Sequence, residues 1–336
     1  MKDDYVKIAS ALPSYQVFHG VSKLGESLLL EELEENLKQY LDWGFLNIGG
    51  YVNVDIPTSG LHGGTFHQLK TVETPGYKLG QVWQSAKKDW VWQSGFYYND
   101  GWFDNNTVNS ISGINVNDNF IPGPTGIANT GYYINYPLGQ VVFDKPLPKN
   151  AKVELDYSYR WCQVYKSSSD SHWKELQELT YKPSPSINQQ NKGDYSVSAN
   201  HRIQMPSIII EPIARSSLKG FQLGARDFWV YQDILLHIFT ENASDKNRIT
   251  DIIRLQKEST VSMYDINKVV NSGVYALDHK GSVNPSGLMY HELSDYNSEY
   301  FWRTFFIKDI EIMDMESKNK NIYWCTIRLT TETILP

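Results

Sequence analysis

The spacing of hydrophobic and polar positions changes along this chain, and each change predicts a different element. From about Ser22 to Trp43, Leu30, Leu33, Leu37, Tyr40 and Leu41 recur at helical spacing, with Glu31, Glu34, Glu35 and Lys38 on the other side. That pattern predicts an amphipathic helix with a solvated acidic face, or one that meets a basic neighbour. Ser22 stands where an N-cap belongs, Glu26 places a carboxylate in the first turn, and Gly44 follows as the stop. The period then falls to two: Val52, Val54 and Ile56 alternate with Asn53 and Asp55 up to Pro57, a half-buried strand.

A β-rich block comes next. Residues 81–103 are crowded with aromatics, and from Ile111 to Tyr165 short apolar runs alternate with turn signals. Ile114–Asn117 and Asn119–Ile121 flank an Asn-Asp turn, and Gly131–Tyr136 meets Val141–Phe143 across Pro137-Leu138-Gly139. From 153 to 161, Val153, Leu155, Tyr157, Tyr159 and Trp161 alternate with Glu154, Asp156, Ser158 and Arg160, predicting one continuous strand with an apolar and a polar face. Residues 167–200 are polar and turn-rich, a linker with room for a short helix near Trp173. An α+β order resumes after residue 200. Ile208–Ile210 is a strand closed by Pro212, and Phe228–Thr240 is a long strand. A helix capped by Asn242 or Ser244 runs to about Lys257, burying Ile249, Ile252, Ile253 and Gln256. Strands at Thr260–Tyr264, Phe301–Met313 and Ile322–Ile334 complete the pattern. The fold class this predicts is α+β: a helix-and-sheet core in two parts (1–80 and 201–336), split by an antiparallel, sandwich-like insertion (81–166) and a polar linker (167–200).

Composition narrows the chemistry. A net charge of -7 repels phosphate backbones and argues against a dedicated nucleic-acid binder, while leaving room for a local basic patch. Cys162 and Cys325, each in an apolar run, read as buried thiols of a reducing compartment. The N-terminus MKDDYVKIAS lacks the apolar region of a signal peptide, and no apolar run is long enough to cross a bilayer. His62 and His67 share a Gly-rich loop without a metal-ligand pattern, and His237 sits in a strand as a satisfied or surface histidine. The Gly-rich stretch 59–64 lacks the Lys-Ser/Thr of a phosphate-binding loop, and no nucleophile elbow or zinc-helix motif occurs. Neighbouring carboxylates such as Glu31/Glu32 and Glu34/Glu35 share one helix and cannot oppose each other across a cleft. The expectation is a protein without catalytic residues, cofactor or metal. The aromatics remain: Trp83, Trp90, Trp92 and Trp102 in the β block, Trp229 and Tyr231 in the long strand. They read as core and subunit interface, or, in the 83–103 stretch, as a carbohydrate-binding platform. Lys87-Lys88 between Trp83 and Trp90 has the look of a base-stacking site, but two lysines beside Asp89 are too few.

The order of helix (22–43), strand (51–56), Pro-bounded strand (207–211), long strand (228–240), helix (244–257) and closing strands is similar to the tail-terminator fold of tailed bacteriophages. The stretch from Val230 to Glu241 carries most of the likeness. The runs Gly131–Phe143 and Val153–Tyr159 resemble segments of virion structural proteins. The resemblance implies a structural subunit of the virion neck, assembled in the host cytoplasm, without catalytic residues. It would form a hexameric ring that ends the tail tube and joins tail to head connector. The implied partners are further copies of itself, tail tube and sheath proteins, and a connector or stopper protein. DNA would pass only as cargo, and no membrane is involved. Another virion position (collar, head completion or baseplate) suits the same composition, and a carbohydrate-binding adhesin is the reading from a different class.

Overall fold

The computed structural model describes residues 26–57, 65–93, 107–123, 131–168, 204–220, 228–314 and 322–335. Ser22, His62, Trp102 and the linker beyond Ser168 lie outside them. Helix α1 (Glu26–Asn47) carries Leu29, Leu33, Leu37, Leu41 and Phe45 at every fourth position, all buried. This ridge packs on the large sheet described below. Leu30, expected on that ridge, is half-buried. The solvated acidic face is corrected more sharply: Glu32, Glu34, Glu35 and Asn36 are each at most 6 % exposed. A ridge spaced by four leaves both flanks of the helix against neighbouring segments, so polar residues beside it are buried too. Nor does the helix stop at Gly44. It runs on because Phe45 and Leu46 are buried, which outweighs the roughly 1 kcal/mol that an interior glycine costs. It ends at Gly49, whose φ of 83° turns the chain, with the Gly50 amide on the Phe45 carbonyl at 2.8 Å.

Short strands follow: β1 (Tyr51–Val54), β2 (Lys70–Thr71), β3 (Val82–Gln84), β4 (Gly113–Val116), β5 (Asn119–Pro122), β6 (Tyr132–Asn135), β7 (Gln140–Phe143), β8 (Val153–Glu154) and β9 (Tyr157–Arg160). They pair as β2-β3-β7-β6, β5-β4-β8 and β1-β9, all antiparallel. Asn117 and Asp118 both take positive φ, 51° and 64°, giving the β4–β5 hairpin the turn that its sequence predicts. These sheets share one core around Trp83, Trp90, Ile114, Val141, Leu155 and Tyr157, which also takes in Val54 and Leu69 from before residue 81. The predicted continuous strand 153–161 is broken. Leu155 gives its amide to the His67 carbonyl, and Glu154, Ser158 and Arg160 are buried like their apolar neighbours. Both sides of this segment are covered, so alternation does not separate an inner from an outer face.

The remaining strands are β10 (Gln163–Lys166), β11 (Ser207–Gly220), β12 (Phe228–Thr240), β13 (Thr260–Tyr264), β14 (Phe301–Asp314) and β15 (Tyr323–Leu335), in the order β10-β11-β12-β15-β14-β13. β12 and β15 pair without a break from Phe228↔Leu335 to Thr240↔Tyr323. The protein is thus mixed α+β and strand-dominated. Pro212 does not close β11, because β10 reaches only as far as Ile210. Beyond it no strand among the described residues pairs with that side of β11, where a proline is tolerated. Helix α2 (Ala243–Arg254) is capped by Asn242, whose side chain accepts the Asp245 amide at 2.7 Å. It buries Ile249 and Ile253 on the same sheet face as α1. Helices α3 (Ile266–Ser272) and α4 (Tyr290–Leu293) were not anticipated, being too short to show a period. Cys162 and Cys325 are buried and outside any disulfide.

The polar flank of α1 stitches these elements together. Asn36 accepts the Tyr264 amide at 2.9 Å and donates to the Tyr264 carbonyl at 3.1 Å, serving as one more rung beside β13. Glu35 pairs with Lys166 at 2.6 Å and accepts from Tyr275 at 3.2 Å. Glu34 accepts from the Ser168 hydroxyl at 2.5 Å, and Glu32 accepts the Ile266 amide at 3.3 Å. Burial pushes the Glu32 carboxyl from 4.5 up to about 7; the Ile266 amide opposes this, while Asp265, Glu35 and Glu31 add to it. Between those two pH values the folded chain holds a proton that the unfolded chain releases, so this group's stabilisation is lost as pH rises through about 7. Glu32→Gln keeps an acceptor without the charge. It is expected to raise the melting temperature at about pH 8 and to lose that advantage by about pH 4.5, as thermal melts at the two pH values would show.

Candidate functional site

A cleft of about 400 Å³ opens where α1, the β block and the segment 275–293 meet. Its floor is Arg160, brought by β9 to within reach of Asp42 near the end of α1. The guanidinium bonds Asp42 at 2.5 Å through Nε, Asp89 at 3.4 Å and the Trp90 carbonyl at 3.1 Å through Nη1, and Gln93 at 2.9 Å through Nη2. Gln93 closes the circuit onto Asp42 at 3.4 Å. Burial pulls the Arg160 pKa down, but the Asp42 and Asp89 carboxylates more than offset it and hold it above its ordinary value. Trp43 stacks on His291 at 4.5 Å at the cleft wall, where Trp92, Tyr275 and Tyr290 also stand. With its acids engaged by the one guanidinium, this constellation is a fastening between the α+β core and the β block. The same two parts meet again at Gly281, whose carbonyl accepts the Tyr136 amide at 3.0 Å and where an added Cβ would fall 2.6 Å from Asn135.

The sheet carries a second polar row, on the face away from α1 and α2. His237 Nε2 lies 2.7 Å from Glu211, and its Nδ1 lies 3.2 Å from the Thr326 hydroxyl. Burial lowers the His237 pKa, against the opposing Glu211. The order carboxylate, imidazole, hydroxyl resembles a nucleophilic triad. Thr326, however, is 1 % exposed, so its hydroxyl has no approach for a substrate and acts as a cross-strand partner. Further along the same face Arg328 bonds Asp233 at 2.5 Å and reaches Glu311 at 3.7 Å. Lys308 pairs with Glu332 and lies 4.8 Å from the Tyr231 ring.

The sequence-predicted interface residues divide among these places. Trp83 and Trp90 are core residues, 3 % and 0 % exposed, with their indole N–H groups spent on Gly80 and Lys87 carbonyls. They form no surface platform, because the β block uses them to fill its own interior. Trp92 is half-buried at the cleft. Trp229 and Tyr231 stand two apart on β12, half-buried on the sheet face away from the helices. Lys87 turns to the rings of Tyr159 and Phe66, at 5.0 and 5.5 Å. The Arg160 circuit was missed because Arg160 falls on the side of its strand that alternation assigns to solvent. Its signal was an arginine in a run of otherwise buried positions. His67, read without a role, is buried and lies 3.2 Å from Glu154. Among the described residues no group of His, Cys, Asp and Glu could hold a metal ion, and no helix is long and apolar enough to cross a membrane. No protein-family model matches the chain, and no curated protein does.

Removing one partner of the buried circuit tests the fastening. Asp42→Ala is expected to destabilise the chain by about 3–5 kcal/mol in urea unfolding, because it leaves a buried guanidinium short of a carboxylate. The paired change Asp42→Leu with Arg160→Met is expected to cost much less.

Proposed function

We propose that this chain is a structural subunit of the neck of a tailed bacteriophage, built on a tail-terminator-like core. Copies form a hexameric ring that ends the tail tube and joins it to the head connector. The observation that carries this reading is the one-sided sheet. Both long helices cover a single face, and the opposite face presents Trp229 and Tyr231 among ion-paired side chains. A sheet face that no helix covers among the described residues suits a subunit completed by neighbours, since aromatic residues on such a face favour protein contacts. The β block, with its own core, would project from the ring toward collar, sheath or connector proteins. DNA would pass through the ring as cargo. Collar, head-completion and baseplate positions are the other places in a virion that such a subunit fits. Cryo-electron microscopy of the particle that carries this chain tests the reading. The expected result is a six-fold ring of this fold between connector and tail tube. Density at the tail tip, on a fibre or in the capsid shell would overturn it.

A further inference from the structure

Resting on the reading of a ring subunit, we propose how copies join: the outer half of β14 in one copy pairs antiparallel with the outer half of β11 in the next. The sheet has two incomplete margins. On one side β10 lies beside only Ser207–Ile210 of β11. On the other, β13 lies beside Phe301–Phe306 of β14, and the Glu258–Ser259 backbone continues the pairing to Ile307. Among the described residues no strand lies beside Ser216–Gly220 or beside Asp309–Asp314.

The strand directions fit without a flip. β11, β12, β15 and β14 each run antiparallel to the next, so β14 runs opposite to β11. A second copy in the same orientation therefore presents its β11 antiparallel to β14, as hairpin-like pairing requires. The two open halves lie at different heights. Asp309–Asp314 is level with Asp233–Ile238 of β12, through the β15 register. Ser216–Gly220 is level with Phe228–Gln232. Joining them with Lys219 opposite Glu311 needs a shift along the strands of six residues, roughly 20 Å, an even number that keeps the helices of both copies on one face. The same shift carries β10 of the neighbour below the sheet and leaves β13 above it, so neither blocks the contact. A constant offset per copy is what strands inclined to a ring axis require.

The side chains agree. On the face away from the helices, the β14 margin shows exposed Asp309 and Glu311, and the β11 margin shows exposed Ser217 and Lys219. Asp309 is held by Lys257 at 2.9 Å, whereas Glu311, 61 % exposed, has only a long 3.7 Å contact with Arg328 and stands opposite a neighbour's Lys219. On the opposite face Ile312 is 38 % exposed and would be covered. Pro212, the β11 register shift from Pro212 to Ser216 and the β14 register shift at Ile307–Asp309 bound the open halves. Such devices prevent indiscriminate edge pairing and confine it to a matched partner. Because the two margins differ, the contact is head-to-tail and ends only when a ring closes.

Native mass spectrometry of the full chain over a dilution series tests this, with Glu311→Lys, Lys219→Glu and the combined exchange. The parent is expected to form closed oligomers. Each single reversal is expected to raise the concentration for half-assembly about five- to tenfold, and the combination to restore it. As a second readout, Glu311→Cys with Lys219→Cys should give inter-chain disulfides on oxidation, which neither single variant gives in a ladder. A parent that stays monomeric throughout, or an oligomer indifferent to both reversals, overturns edge pairing. Edge-paired oligomers from a chain found elsewhere than the phage neck would keep this inference and remove the functional reading.

Discussion

The contact on which the rest of this structure depends is the two-bond clasp between Asn36 and the backbone of Tyr264. A side-chain amide on α1 takes the place of a neighbouring strand at the outer edge of β13. Buried and away from water, an orphaned Tyr264 amide or carbonyl would cost about 1–3 kcal/mol. Asn36 itself is fully buried, so helix and strand are committed to one register. Glu32, Glu34 and Glu35 extend the clasp to α3, to Ser168 and to Lys166. A helix that reads as amphipathic is therefore apolar on its ridge and hydrogen-bonded on its flanks. Its burial is nearly complete over the middle turns.

From this spine the remaining arrangement follows. The leucine ridge holds α1 to the sheet, and α2 fills the same face beside it. Asp42, three residues before the ridge ends at Phe45, reaches Arg160 and so fixes the β block to the same helix. With both helices committed to one face, the other face of β12 and β15 carries ion pairs around half-buried Trp229 and Tyr231, and a small separate core at Ile209 and Phe239. Among the described residues the sheet also remains unfinished along β11 and β14. The one-sidedness that underlies the proposed ring is thus a consequence of where the helices find their polar partners.

Much of the fold is legible in the sequence. The strands at 228–240, 260–264 and 301–314, and the helix capped at Asn242, stand where periodicity and capping residues put them. The Asn117-Asp118 turn follows from the tolerance of those two residues for positive φ. What failed has a common cause: alternation and helical spacing assume one buried side. Glu154, Ser158 and Arg160 on β8 and β9, and Glu32, Glu35 and Asn36 on α1, are polar residues covered on what seemed the outer side. Apart from Lys152, two residues from Glu154, their partners Asp42, Asp89, Lys166 and Tyr264 lie far away in sequence and leave no local mark. For the same reason the site was only half visible. Trp83 and Trp90 are core, one of the two readings their sequence allows, Trp229 and Tyr231 lie half-buried on the sheet, and the cleft at Arg160 has no counterpart in the sequence pattern.

The most direct test of the central claim is amide hydrogen exchange, measured segment by segment, in the parent and in Asn36→Ala. The account predicts that Tyr264 and the rest of β13, with the start of α3, lose protection while β12 and β15 keep theirs. Protection of β13 unchanged by the substitution, or lost only together with the whole sheet, would contradict it.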